Sequence, residues 1–148
     1  MFREAHAVWK GGLFAGEGAV STPSGVLNNA TYAFGSLAGG APCTTPCEML
    51  AAAIASCMST MVAVEMARVG IKPAIVDTYA VLTLDNPADK WQITGAHLDI
   101  TARTTDPESR RFEEAVEAAR HSCPISNALR VELKCKPKLI SLTAPALV

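Results

Sequence analysis

The chain has little charge, and what it has nearly cancels: 18% of its 148 residues are Asp, Glu, Lys or Arg, and the formal net charge is -1. With no basic field to attract polyanions, nucleic acid and anionic membrane surfaces are excluded as expected partners. The chain also lacks an internal repeat, a low-complexity tract and a disordered linker, so one domain over residues 1–148 is expected. That length buries about two thirds of the unfolded surface around one core, without help from disulfides or metal.

The opening MFREAHAVWKGG has no basic start, apolar stretch or small-residue cleavage site, so no signal peptide is expected and the chain reads as cytoplasmic. A membrane span is lacking as well. The best candidate, MLAAAIASCMSTMVAVEMARVGI, is interrupted by Ser56, Ser59 and Thr60 and closed by Glu65 and Arg68, which predicts a buried helix of a soluble protein. The five cysteines, Cys43, Cys47, Cys57, Cys123 and Cys135, are an odd number. In a cytosolic chain, where thiols stay reduced, this favours redox chemistry over a disulfide framework.

What is present reads as alternating strands and helices. EAHAVWK, GGLFAGEG and AVST predict strands joined by Gly-rich turns, with PSG marking a further turn before VLNN. Residues 35–46 are small and rich in Gly and Pro, hence a loop, and loops of this length often carry function. Thr45 can cap a helix that starts at Pro46 and runs to about Val69, with Gly70 as its stop. Leu50, Ile54, Met61, Val62 and Met66 spread over several of its faces, more surface than so small a chain can cover. A second copy of the chain is therefore expected to help bury it, with Ala and Ser positions allowing close approach.

Strands are predicted over 76–84 and 93–103, the second alternating Ala96, Leu98 and Ile100 against His97, Asp99 and Thr101. A helix follows, with Asp106 as cap, Pro107 in the first turn, and Phe112, Ala115, Val116 and Ala119 as its apolar stripe. Its wet face carries Glu113, Glu114 and Glu117. A short helix after Pro124 leads to a last strand, VELKCKPKLIS, which turns Leu133, Cys135 and Leu139 inward and Lys134, Lys136 and Lys138 outward. Pro137 marks that strand as a sheet edge.

Local chemistry leaves the cysteines open. Cys123, just before Pro124, is either a thiolate stabilised by free helix N–H groups with Arg120 and His121 nearby, or a small residue at a helix entry. Cys57 lies three turns into the apolar helix, where burial alone raises a thiol pKa and inert core packing is the ordinary outcome. Cys43 and Cys47 could be metal ligands, a redox pair or loop residues, but without a second ligand pair the metal signal is weak and none is expected. Cys135 reads as core, and His6 and His97 as ordinary strand side chains.

In order, spacing and content, WKGGLFAGEGAVSTPSGVLNNATYAFG, TTPCEMLAAAIASCMSTMV and HSCPISNAL resemble the OsmC branch of the OsmC/Ohr family over nearly the whole chain. The most specific features are the cysteine in the apolar helix about ten residues after its Thr-Pro start, and the later Cys-Pro that opens a helix. The resemblance implies an α+β fold in which antiparallel sheets wrap around long central helices in an intertwined homodimer, with two sites at the subunit interface. It implies thiol-dependent reduction of organic and other hydroperoxides in oxidative or osmotic stress defence, with no cofactor and a dithiol such as a lipoyl protein as reductant. By motif match Cys57 is the peroxidatic thiol and Cys123 the resolving one.

The chain departs from its relatives where they place an activating Arg and Glu. Leu37 stands at the Arg position and Cys47 at the Glu position, with Glu48 next to it as the candidate acid. Arg3, Arg120 or an Arg across the dimer could replace the missing cation, and Cys43 with Cys47 could form an extra thiol relay. The competing expectation is a non-catalytic redox-sensing or small-ligand-binding dimer that keeps the fold without turnover.

Overall fold

The computed structural model describes residues 1–12, 15–33 and 43–142, so Leu37 lies outside the described residues. The chain divides into two compact units, Met1–Leu50 and Ala51–Val148.

In the first unit, β1 (His6–Lys10), β2 (Glu17–Ser21) and β3 (Ala30–Tyr32) form an antiparallel meander. Of the Gly-rich stretch GGLFAGEG, Glu17 and Gly18 open β2. Gly11 stands at φ 92°, a conformation glycine reaches freely, and β2 then takes its residues from the end of that stretch and from AVS. The Pro23-Ser24-Gly25 turn forms as expected, Gly25 donating its N–H to the Thr22 carbonyl at 2.9 Å, but the next strand is Ala30–Tyr32 and not VLNN.

Gly18 lies opposite both Trp9 and Tyr32 in register, and the two rings meet with centroids 5.7 Å apart. The Tyr32 ring fills the space a Cβ on Gly18 would need. Gly18→Ala is therefore expected to destabilise this sheet by about 1–3 kcal/mol, the usual cost of overpacking. A denaturant midpoint equal to that of the parent would contradict this packing.

The helix α1 (Pro46–Arg68) begins where the sequence places it and ends in a Schellman closure. Gly70, at φ 80°, donates to the Ala67 carbonyl at 3.1 Å, and Ile71 donates to that of Met66 at 2.9 Å. By length and composition α1 could cross a membrane. Its stripe of Ile54, Met58, Val62 and Met66, however, packs into the core of the second unit. Ala52, Ser56, Thr60, Val64 and Ala67 form an exposed stripe of mostly small residues.

The second unit is built on a long hairpin, β4 (Pro73–Asp85) with β5 (Gln92–Thr104). β6 (Leu133–Ser141) is added parallel to β5 at the edge, after a crossover through α2 (Ser109–Ser122) and α3 (Pro124–Ala128). Ala96, Leu98, Ile100 and Ala102 of β5 are buried while His97 and Asp99 face water, as the alternation requires. Pro137 lies on the edge strand, where its missing N–H leaves no interior ladder bond unmade.

The start of α2 differs from expectation. The Asp106 N–H donates to Thr104 Oγ1 at 3.2 Å, which keeps Asp106 in the turn leaving β5, and the helix begins later, with Glu108 at the cap. Its stripe of Phe112, Ala115, Val116 and Ala119 is buried as the spacing predicts. That stripe closes the core over Met58, Val62, Met66, Leu98 and Ile100.

Candidate active site

The sequence places Pro124 after a helical run, and proline forces the residue before it out of the α region. Cys123 accordingly sits at φ -72°, ψ 116°, ending α2 through its N–H to the Ala119 carbonyl and starting α3 as its cap. Its Sγ accepts the Ser126 N–H at 3.4 Å. Cys57, in the middle of α1, lies against the same junction, with its Sγ 2.7 Å from that of Cys123. Both are free thiols; Cys123 is wholly buried and Cys57 only in part, so the pair is approached from the Cys57 side.

Burial, together with the hydrogen bond to Cys123, pushes the Cys57 thiol above its ordinary range, and an N–H of Ile125 only partly offsets this. Burial would raise Cys123 too, but donors from Cys57, Ser126 and Ile125 together outweigh it and hold this thiol below its ordinary range. As pH rises, the first thiolate of the pair should therefore form on Cys123. In ultraviolet thiolate titrations the early step should survive in Cys57→Ser and vanish in Cys123→Ser. The reverse order would contradict the hydrogen-bond pattern.

A polar row continues along α1. Met61 and Glu65 follow Cys57 at successive turns, and the Ser122 hydroxyl lies 3.8 Å from Met61 Sδ and 3.4 Å from Glu65 Oε1. Glu65 is nearly buried and is held by Arg68 Nη1 at 2.7 Å. The Ser126 hydroxyl contacts Met58 Sδ at 3.5 Å. Sequence reasoning took Glu65 only as a charge closing the apolar run and passed over Ser122, although the Cys57, Met61, Glu65 spacing puts all three on one helix face.

Other candidates lie elsewhere. Glu48 Oε2 accepts the Thr45 N–H at 2.8 Å and the Thr44 hydroxyl at 3.1 Å, while Thr45 Oγ1 accepts the Glu48 N–H at 3.2 Å. This is a capping box, legible in the Thr-x-x-Glu of TPCE, and it stands about two and a half helical turns before Cys57.

Arg120 and His121, expected beside Cys123, are tied instead to Glu117, at 2.7 Å and 2.9 Å. The field of Arg120 is felt at Cys135, whose thiol burial pushes up on the inner side of β6. Arg3 is exposed and donates to the Phe2 carbonyl. Cys43 and Cys47 are half-buried free thiols before and at the start of α1. His6 is exposed on β1, and His97 is exposed on β5 with Asp99 at 3.2 Å. Among the described residues, no three His, Cys, Asp or Glu side chains converge on a metal position.

Fold and site together define an α+β protein that carries a close pair of free thiols, one on its longest helix and one at a Cys-Pro helix start. Residues 39–138 match the family model for OsmC-like protein. The chain is 31% identical over 131 residues to the peroxiredoxin OsmC of Escherichia coli (strain K12), covering 88% of this chain and 92% of that one. It belongs to the OsmC family.

Among solved structures, the OsmC-like protein of Mycoplasma pneumoniae superposes with a TM-score of 0.79 at 13% identity, over 95% of this chain and 98% of that one. The organic hydroperoxide resistance protein OhrB of Bacillus subtilis gives 0.66 at 22% identity, over 93% and 98%. Both share the fold.

Proposed function

We propose that the chain is a thiol-dependent peroxidase that reduces organic hydroperoxides, and inorganic ones as well, in stress defence in the cytoplasm. The observation that carries this reading is the 2.7 Å approach of two free thiols, with only Cys57 open to an incoming peroxide. Cys57 sulfur attacks a peroxide oxygen, the O–O bond breaks, an alcohol leaves, and Cys57 becomes a sulfenic acid. Cys123 then forms a disulfide with it as water departs, and a dithiol of the lipoyl type reduces the pair. No cofactor enters. The family relation and the names of the two relatives above, a peroxiredoxin and an organic hydroperoxide resistance protein, support this choice of substrate class.

The exposed small-residue stripe of α1 supports a single-domain homodimer, expected to sediment as two copies of the 15.5 kDa chain. Sedimentation as one copy would remove that part of the reading.

The raised Cys57 thiol, with Arg120 engaged by Glu117, favours a second reading: a dimer that senses oxidants or binds a small ligand without turnover. Continuous assay separates them. Many equivalents of organic hydroperoxide consumed per chain with dihydrolipoamide support the peroxidase, whereas a single equivalent followed by arrest supports the sensor.

A further inference from the structure

Among the described residues, Glu65 is the one charged side chain that the fold buries. Its ion pair does not account for this. Arg68 stands one turn further along the same face of α1, and such a pair forms readily in water; here 9% of the Glu65 side chain is exposed against 68% of Arg68. The second contact comes from α2, whose last residue, Ser122, brings its hydroxyl to 3.4 Å from Glu65 Oε1 and 3.8 Å from Met61 Sδ. A helical side chain leans toward the N-terminus of its own helix, so the Glu65 carboxylate reaches back over the Met61 turn, toward Cys57.

That contact lies next to a reacting sulfur. Ser122 precedes Cys123, where α2 ends, and the last turn of a helix has carbonyls without partners of their own and frays. Two contacts to α1 bracket Cys123: Ser122 to Glu65 before it, and the Ser126 hydroxyl to Met58 Sδ, at 3.5 Å, after it. The first is the stronger kind, because a carboxylate accepts a hydrogen bond far better than a thioether does.

On the peroxidase reading above, we propose that Glu65 is a positioning residue for the resolving step. By accepting the Ser122 hydroxyl it keeps the end of α2 on α1, and so keeps Cys123 Sγ against Cys57 Sγ once Cys57 is a sulfenic acid. In that step Cys123 sulfur attacks Cys57 sulfur, the S–S bond forms and the S–O bond breaks. Cys123 is oxidised, the sulfenic sulfur is reduced, and the hydroxyl leaves with the Cys123 proton as water. Glu65 itself exchanges no proton or electron. A sulfenic acid that waits too long is oxidised by a second hydroperoxide to the sulfinic acid, with a second alcohol leaving. Glu65 therefore sets how much hydroperoxide the pair withstands before Cys57 is lost to turnover.

The test mixes reduced full-length protein with graded cumene hydroperoxide in the absence of a reductant. Mass spectrometry reads the Cys57–Cys123 disulfide against Cys57 sulfinic acid, and stopped-flow consumption of the first equivalent reads the attack of Cys57 separately. Glu65→Ala and Ser122→Ala should each lower the hydroperoxide concentration that gives equal disulfide and sulfinic acid by roughly tenfold, the size of a lost hydrogen bond to a charged group, with first attack at the parental rate. The double variant should fall no further than either single one, because both remove the same contact. Ser122→Thr, which keeps the hydroxyl, should behave as the parent. Ser122 is exposed, so Ser122→Ala should fold normally and decides the matter even where Glu65→Ala is unstable.

A parental balance of disulfide and sulfinic acid in Ser122→Ala would overturn the proposal and leave the peroxidase reading intact. Losses that add in the double variant, or first attack slowed as much as resolution, would do the same, since they mark general loosening. A parent protein in which Cys57 is not oxidised at all would end both.

Discussion

Cys57→Ser is expected to lower hydroperoxide consumption by roughly a thousandfold or more, because a hydroxyl at that position forms no sulfenic acid and the other sulfur of the pair, Cys123, is wholly buried. The substitution keeps the volume of the side chain within a helix whose neighbouring turns, Ile54, Met58 and Val62, anchor the core, so the fold should survive. Consumption is read with dihydrolipoamide in excess, and thermal unfolding is compared with the parent. Cys123→Ser is expected to differ in kind, since it can stop at the Cys57 sulfenic acid and cannot form the intramolecular disulfide. Parental consumption by Cys57→Ser would move the chemistry to another thiol, Cys43, Cys47 and Cys135 being the other half-buried ones.

The largest expected effect on stability comes from Phe112→Ala. Among the described residues, Phe112 is the largest of the fully buried side chains and closes α2 over the sheet and over α1. Its loss should cost about 3–5 kcal/mol, a large share of the roughly 5–15 kcal/mol that holds a domain together. A melting temperature lower by roughly 10 °C is the expected result, followed by circular dichroism. The same substitution should lower the yield of Cys57–Cys123 disulfide, because α2 ends at Cys123 and its packing sets where that sulfur stands. An unchanged melting temperature would show that α2 is not held through Phe112.

The parts of this arrangement that were legible in the sequence are those written locally. Thr45-Pro46 and Gly70 bracket α1 because capping and left-handed closure depend on adjacent residues. The β5 alternation and the α2 stripe are visible because one buried face imposes its period on the residues. Cys123 at a helix start was visible for the same reason, since Pro124 dictates the break.

What depended on distant contacts was hidden. The start of α2 moved because Thr104, at the end of β5, captured the Asp106 N–H. Cys57 and Cys123 are 66 residues apart, and no local pattern joins them; the family resemblance alone paired them in advance. Glu65 was read as a charge that closes an apolar run, while its contact with Ser122 depends on α1 meeting α2. Glu48 is the opposite case: a local motif, the capping box, was present in TPCE while the residue was being weighed as a catalytic acid.

The most direct test of the account is to treat reduced protein with one equivalent of an organic hydroperoxide and map its thiols by mass spectrometry. A single disulfide joining Cys57 to Cys123, with Cys43, Cys47 and Cys135 still reduced, is the predicted result. Cys57 and Cys123 both recovered as free thiols, or a disulfide formed only between Cys43 and Cys47, would contradict it.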